Sequence, residues 1–158
     1  MISQSALKIR WLICIAAIGA LLHGCASQPS VAAPSKPTAA EQAVAVALQQ
    51  VGVPYRYGGN SPRGFDCSGL VHYAYSQAGK QLPRTTQSLW QAASPVSTSE
   101  LQAGDILFFN IAGKMAHVGL YVGRGRFVHA PSTGREVAVA SLQSDFYRQA
   151  FIRAGRPQ

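Results

Sequence analysis

The chain has 158 residues, of which 47% are hydrophobic and 13% charged, and its fourteen Lys and Arg outnumber six Asp and Glu for a net charge of +8. That length suits one domain able to bury a core without disulfides, and the positive balance favours anionic partners. No helix-turn-helix, zinc or RNA-binding signature accompanies the charge, so nucleic acid is not expected to be that partner.

From the N-terminus, residues 1–10 carry only Lys8 and Arg10 as charges, and an unbroken small or apolar run, Trp11 to Leu22, ends in Leu22-His23-Gly24-Cys25. This is the layout of a secretory signal peptide, because twelve apolar residues fall short of the roughly 20 that cross a bilayer. The ending resembles a bacterial lipobox, in which a Leu precedes a Cys by three places with small residues between. Residues 1–24 are therefore expected to be a lipoprotein signal peptide and Cys25 the lipidated first residue of the mature chain; His23 is bulkier than the residue usual at its place. Residues 25–37 then form a disordered tether, since ASQPSVAAPSKP has no apolar period and three prolines. Ala26 stands where an Asp would point to the inner membrane of a two-membrane bacterium, so the expected location is exported and lipid-anchored to the outer membrane, facing the periplasm. With Lys8 and Arg10 removed, twelve Lys and Arg remain against six acids, +6. Cys14 leaves with the signal and Cys25 is consumed by the lipid, so Cys67 has no disulfide partner.

Residues 38–158 form the folded domain. Thr38-Ala-Ala-Glu41 is a capping box, and Ala43, Val44, Ala47, Leu48 and Val51 recur at helical spacing until Gly52 and Pro54. A Gly- and Pro-rich loop from Tyr55 to Phe65 follows. Asp66 is an N-cap for a helix running to Ala78, with Cys67, Leu70, Val71, Ala74 and Ala78 on one face. A third helix is predicted from Thr85 or Thr86 to Ala92. After Asp105 the period changes: Ile106 to Phe109 reads as a buried strand, and His117 to Val122 and Arg126 to Ala130 read as a hairpin around Gly123-Arg124-Gly125. Glu136 to Ala140 and Gln149 to Arg153 read as two further strands. Helices followed by antiparallel strands make an α+β fold.

A thiol attacks as thiolate, and the partial positive charge and free donors at a helix N-terminus lower its pKa. Cys67 holds that position, Ser68 and Gly69 add little bulk beside it, and first-turn N–H groups can face an oxyanion. The competing reading is a buried structural cysteine. A thiol nucleophile needs a base, and that base needs an orienting group. His23 leaves with the signal, and His72 lies about 140° round the helix from Cys67, as a surface residue. If the hairpin loop is Gly123-Arg124-Gly125, facing residues have numbers summing to 248. His129 then opposes Gly119, and His117 is its diagonal neighbour on the same face, roughly 7 to 8 Å away. An even-numbered loop would put the rings on opposite faces.

Pro54-Tyr-Arg-Tyr-Gly-Gly, Phe65-Asp-Cys-Ser-Gly-Leu, Ala103-Gly-Asp-Ile-Leu-Phe-Phe, His117-Val-Gly-Leu-Tyr-Val and Phe127-Val-His-Ala resemble the NlpC/p60 family of cell-wall cysteine peptidases. The resemblance covers nearly all of residues 40–155. It implies a papain-like fold with N-terminal helices packed on a five- to six-stranded antiparallel sheet. It also implies Cys67 as nucleophile, His117 as base and His129 as the group orienting His117, with Tyr55 as oxyanion donor. Asp66 and Ser68 match the motif as cap and substrate contact, and Arg84, in a Leu-Pro-Arg-Thr segment, is a candidate to receive a substrate carboxylate. The substrates implied are peptidoglycan stem peptides, hydrolysed without cofactor. No Cys-x-x-Cys or His-Glu-x-x-His pattern points to a metal. Two alternatives are a catalytically silent peptidoglycan-binding or scaffolding lipoprotein, and amidase or acyltransferase chemistry on the same triad.

Overall fold

The computed structural model describes residues 36–111 and 113–158. The expected signal peptide, Cys25 and the tether up to residue 35 lie outside the described residues; Lys36 and Pro37 are exposed coil. No helix among the described residues is long and apolar enough to cross a membrane.

Helix α1 (Ala39–Leu48) starts on the predicted capping box: Glu41 N–H donates to Thr38 Oγ1 at 3.2 Å and Thr38 N–H donates to the Glu41 carboxylate at 2.8 Å. Ala43, Val44 and Ala47 are buried, but Leu48 and Val51, expected on the same face, are 39% and 49% exposed. The helix stops at Leu48 and the chain turns through Gly52 at φ +90°, so the helical period no longer governs Val51. The predicted loop contains a small ribbon, β1 (Asn60–Ser61) paired with β2 (Gly64–Phe65). Helix α2 (Cys67–Gln77) is capped by Asp66, whose carboxylate accepts Gly69 N–H at 2.6 Å. It buries Leu70, Val71, Ala74 and Tyr75 and leaves Cys67 and Ala78 at the margin of the core. Helix α3 (Thr86–Ala92) is capped by Thr85.

The remaining chain forms β3 (Ala93–Val96), β4 (Ile106–Ile111), β5 (Lys114–Gly123), β6 (Arg126–His129), β7 (Ala138–Ser141), helix α4 (Asp145–Ala150) and β8 (Phe151–Pro157). The six strands make one antiparallel sheet in the order β3-β8-β4-β5-β6-β7. Both faces are covered, which is why β4 reads as a continuous apolar run rather than an alternating one. Ile106, Phe108, Val118, Leu120 and Val128 pack on one face with Leu70, Val71 and Ala74 of α2. Leu107, Phe109, Tyr121 and Phe127 pack on the other, with Tyr147 and Phe151 against them. Each such side chain contributes roughly 1.5–3 kcal/mol by leaving water. Arg156 donates from Nε and Nη2 to the buried Asp105 carboxylate at 2.8 and 2.9 Å, pinning β8 to the start of β4.

Several elements differ from expectation. Strand β3 holds Pro95, a residue that argues against a strand except at a sheet edge, and β3 is an edge, paired only with β8. The strand predicted from Gln149 begins two residues later, because α4 precedes it; α4 is six residues long and too short to show an apolar period. Strand β7 also starts later than predicted. Val137 instead bonds the turn after α1, donating to Val53 O at 2.8 Å and accepting from Gly52 N–H at 2.9 Å.

The β5–β6 hairpin turns through Arg124 and Gly125, at φ +53° and +68°, the positive pair that a two-residue type I′ turn requires. The loop is thus shorter than the three residues expected. A bulge between Tyr121 and Gly123 absorbs the difference, so that Leu120 pairs Val128 and Tyr121 pairs Phe127, and the sum of 248 holds.

Candidate active site

Cys67 is the first residue of α2, and its thiol is half-buried between α2, α3 and β5. The sulfur lies 3.9 Å from Thr86 Oγ1 and 3.8 Å from the carbonyl of Ala116. Strand β5 is bulged at this point: His117 pairs Phe109 but the next pair joins Met115 to Asn110, and Ala116 is left out of the ladder. Val118 and Ser68 N–H also face the sulfur. The sulfur therefore sits against the β5 backbone on both sides of His117. Burial pushes the thiol pKa up, with the Asp66 charge adding to it, and the Val118, Thr86 and Ser68 donors offset this only in part. The expected lowering by the helix N-terminus is overridden, because the strand that brings donors to the sulfur also removes its water.

His117 Nε2 of β5 and His129 Nδ1 of β6 are 2.8 Å apart. Both rings are buried, 4% and 3% exposed, among Phe109, Phe127 and Tyr147, whose centroids lie 5.0 to 6.0 Å from one ring or the other. Burial lowers the His117 pKa to about 4; burial and the neighbouring His117 lower that of His129 to about 3. The pair is neutral at neutral pH. Its hydrogen bond leaves His117 Nδ1 free of His129, and no hydrogen bond joins that ring to Cys67 among the described residues. Sequence reasoning missed a further member: Tyr147 Oη stands 3.4 Å from His129 Nε2. Tyr147 lies on α4, the helix without a readable period.

The residues named as substrate contacts form a network beneath Cys67. Asp66 accepts from Gly69 N–H, from Gly58 N–H at 3.0 Å, and from Arg84 Nη1 and Nη2 at 2.9 and 2.7 Å. Arg84 also donates to Ser68 Oγ at 3.0 Å and to Gly59 O at 3.1 Å. All four of its Nη hydrogens are engaged, so the carboxylate on Arg84 is that of Asp66 and only Nε–H is left for another. Gly69 makes this packing possible: a Cβ there would meet Gly59 O at 2.0 Å. Tyr55 shares with Cys67, Asp66, Ser68, Arg84 and Thr86 a cleft of about 500 Å³, and burial, then Cys67 and Asp66, push its hydroxyl pKa up. His72 is half-buried rather than on the surface, with Nδ1 2.7 Å from Leu82 O. Among the described residues no cluster of His, Cys, Asp or Glu could hold a metal ion.

Residues 52–156, from the turn after α1 to β8, match the model of the NlpC/P60 family. The chain belongs to that family. The NlpC/P60 region holds every catalytic and substrate-contact residue named from sequence. The chain is 46% identical over 115 residues to the murein DD-endopeptidase MepH of Escherichia coli, a match covering 69% of this chain and 42% of that protein. Among solved structures it is similar to an NlpC/P60 family protein from Bacillus cereus, with a TM-score of 0.71 and 31% identity over 78% of this chain and 41% of the other. It is also similar to the peptidoglycan hydrolase RipB of Mycobacterium tuberculosis, with a TM-score of 0.64 and 31% identity over 75% and 64%. This chain thus spans less than half the length of MepH. These neighbours bear out the papain-like α+β architecture.

Proposed function

We propose that this NlpC/P60 chain is a peptidoglycan endopeptidase that hydrolyses stem-peptide or crosslink bonds with Cys67 as nucleophile, His117 as base and His129 as orienting group. The observation that carries the reading is that β5, whose backbone on both sides of His117 lies against the Cys67 sulfur, holds His117 in a buried pair with His129 of the neighbouring β6. The names of MepH and RipB support the substrate class. In the resting enzyme the thiol holds its proton and His117 is neutral, so proton transfer accompanies attack. For His117 Nδ1 to accept the thiol proton, Nε2 must carry hydrogen and donate to His129 Nδ1. His129 Nε2–H is then directed at Tyr147 Oη.

The sulfur forms a bond to the scissile carbonyl carbon. Gly69 and Leu70 N–H are already spent on Asp66, so the oxyanion falls to Cys67 and Ser68 N–H and the Tyr55 hydroxyl. Collapse breaks the C–N bond, and the leaving amine takes the proton from His117. Water, activated by the same imidazole, then hydrolyses the thioester and restores the thiol. Asp66 and Ser68 hold the first turn of α2 and floor the cleft on the acyl side.

Residues 1–24 direct export and Cys25 anchors the protein by lipid, on the periplasmic face of the outer membrane. A tether of about a dozen residues reaches at most roughly 40 Å, which keeps the domain near that membrane. The test is mass spectrometry of purified peptidoglycan fragments after incubation with residues 26–158, wild type beside Cys67→Ala. New fragments from the wild type alone establish the peptidase and name the bond. No cleavage by folded protein, with retained pull-down on peptidoglycan, would replace this reading by the silent binder. Intact mass of the membrane-extracted full chain, compared with Cys25→Ala, tests the anchor.

A further inference from the structure

His129 Nδ1 is spent on His117 Nε2 at 2.8 Å, and its other ring nitrogen, Nε2, has one partner among the described residues, the Tyr147 hydroxyl at 3.4 Å. His129 is buried, so a hydrogen on Nε2 without an acceptor would be an orphaned donor. The packing fixes where that hydroxyl stands. The Tyr147 ring is edge-on to His129 at 5.3 Å, to Phe127 at 4.9 Å and to Phe109 at 5.4 Å. Its helix, α4, is capped by Ser144, whose Oγ accepts Tyr147 N–H, and runs directly into β8, where Phe151 pairs Phe109. Burial pushes the phenol pKa up and Arg135 offsets this only in part, so the hydroxyl keeps its proton at neutral pH. Tyr147 is half-buried and lines a cleft of about 420 Å³ beside His117, so that proton can turn to solvent while the oxygen accepts.

Protons can thread these groups in either direction. In one, Tyr147 O–H donates to His129 Nε2 and His129 Nδ1–H donates to His117 Nε2; His117 Nδ1 then carries hydrogen and cannot act as a base. In the other, His117 Nε2–H donates to His129 Nδ1, His129 Nε2–H donates to Tyr147 Oη, and His117 Nδ1 is bare. Once His117 has taken the thiol proton only the second is possible, because both its nitrogens carry hydrogen and His129 must accept at Nδ1. We propose that Tyr147 is a positioning residue for the reaction: its hydroxyl accepts from His129 Nε2–H and so holds His117 in the tautomer that can take the thiol proton. The inference rests on the peptidase reading of Cys67 and His117. The bond from His129 Nε2–H strengthens as positive charge reaches the imidazole pair, so the hydroxyl supports the transition state more than the resting state. A resting separation of 3.4 Å is long, and such contacts tighten as the charge develops.

The test uses the full chain purified in detergent. Tyr147→Phe keeps the ring and its packing and removes the oxygen alone. With purified peptidoglycan fragments as substrate, kcat should fall roughly five- to a hundredfold with KM unchanged, the scale of a buried donor left unpaired. In a His129→Ala background the same substitution should cost less than about twofold, because the oxygen acts through that imidazole. Equal losses in the two backgrounds, or a change in KM alone, would mark a structural or substrate-binding tyrosine and overturn the assignment. Nitrogen NMR of the histidine rings near neutrality is the second readout. Wild type should carry hydrogen on His129 Nε2 and none on His117 Nδ1, and Tyr147→Phe should lose that pattern; a bare His129 Nε2 in wild type would overturn the proposal. The expected tautomers without turnover by wild type would remove the peptidase and leave the chain of hydrogen bonds. Turnover that Tyr147→Phe leaves unchanged would remove Tyr147 and keep the peptidase.

Discussion

Replacing Gly69 by Ala separates two opposing effects at the site. In an open helix position Ala is more favourable than Gly by about 1 kcal/mol, and Gly69 is helical, in the first turn of α2. Here the new Cβ would meet Gly59 O at 2.0 Å, Asp66 Oδ1 at 2.9 Å and Arg84 Nη2 at 3.0 Å. The nearest atom is backbone, so a side-chain rotation gives no relief and the first turn of α2 must move off the Gly58–Gly59 loop. Overpacking costs roughly 1–3 kcal/mol, and weakening the Asp66 cap costs about 1 kcal/mol more. With the helical gain subtracted, the net loss is roughly 1–3 kcal/mol, a fall in Tm of roughly 4–15 °C for a domain of this size. Peptidoglycan hydrolysis should fall further than stability does, since the turn that moves carries Cys67. Circular dichroism melting and fragment release would be measured beside Gly79→Ala, whose Cβ meets nothing within 4 Å at φ +81° and which costs only about 1 kcal/mol of backbone strain. A Tm for Gly69→Ala at or above wild type would refute the reasoning.

The two buried imidazoles give the fold an acid limb. The His117 pKa is about 4 in the folded chain, below its unfolded value of about 6.5, so the unfolded state takes up the proton first as pH falls. This contribution leaves stability intact above about pH 6.5 and removes on the order of 3 kcal/mol by about pH 4, with His129 extending the loss toward pH 3. Urea midpoints at pH 7.5 and 4.5 measure it; equal midpoints would show that the rings are not buried as neutral groups. Because the Cys67 thiol is raised and His117 is neutral, alkylation by iodoacetamide should be slow near neutrality and climb about tenfold per unit as alkali is added. A rate plateau below pH 7 would instead reveal a preformed thiolate–imidazolium pair. Cys67→Ala and His117→Ala should abolish hydrolysis with folding retained, and His129→Ala should reduce it less, as read by fragment release. Equal activity in all three would remove the triad, and loss of fold in Cys67→Ala would support a structural cysteine.

Much of this protein was legible because its signals are local. The Thr38–Glu41 box, the Asp66 cap and the Thr85 cap each act over three residues, and each helix began where its cap stood. The shared face of His117 and His129 also followed from a local rule, since a hairpin register depends on its turn, and the bulge happened to preserve the sum that a longer loop would have given. Strand β3 and helix α4 were not readable: one has a proline, and the other is too short for a period. With α4 went Tyr147, the neighbour of His129.

By itself the sequence determined which residue types stand at helix starts and strand positions, and so placed Cys67 on a first turn and the two histidines on one face. Only the tertiary structure decided what those groups are chemically. The Cys67 sulfur meets a carbonyl 49 positions away, and Arg84 meets a carboxylate 18 positions away. Desolvation and ion pairing depend on which surfaces close over a group, and that is set by packing between distant segments rather than by neighbours along the chain.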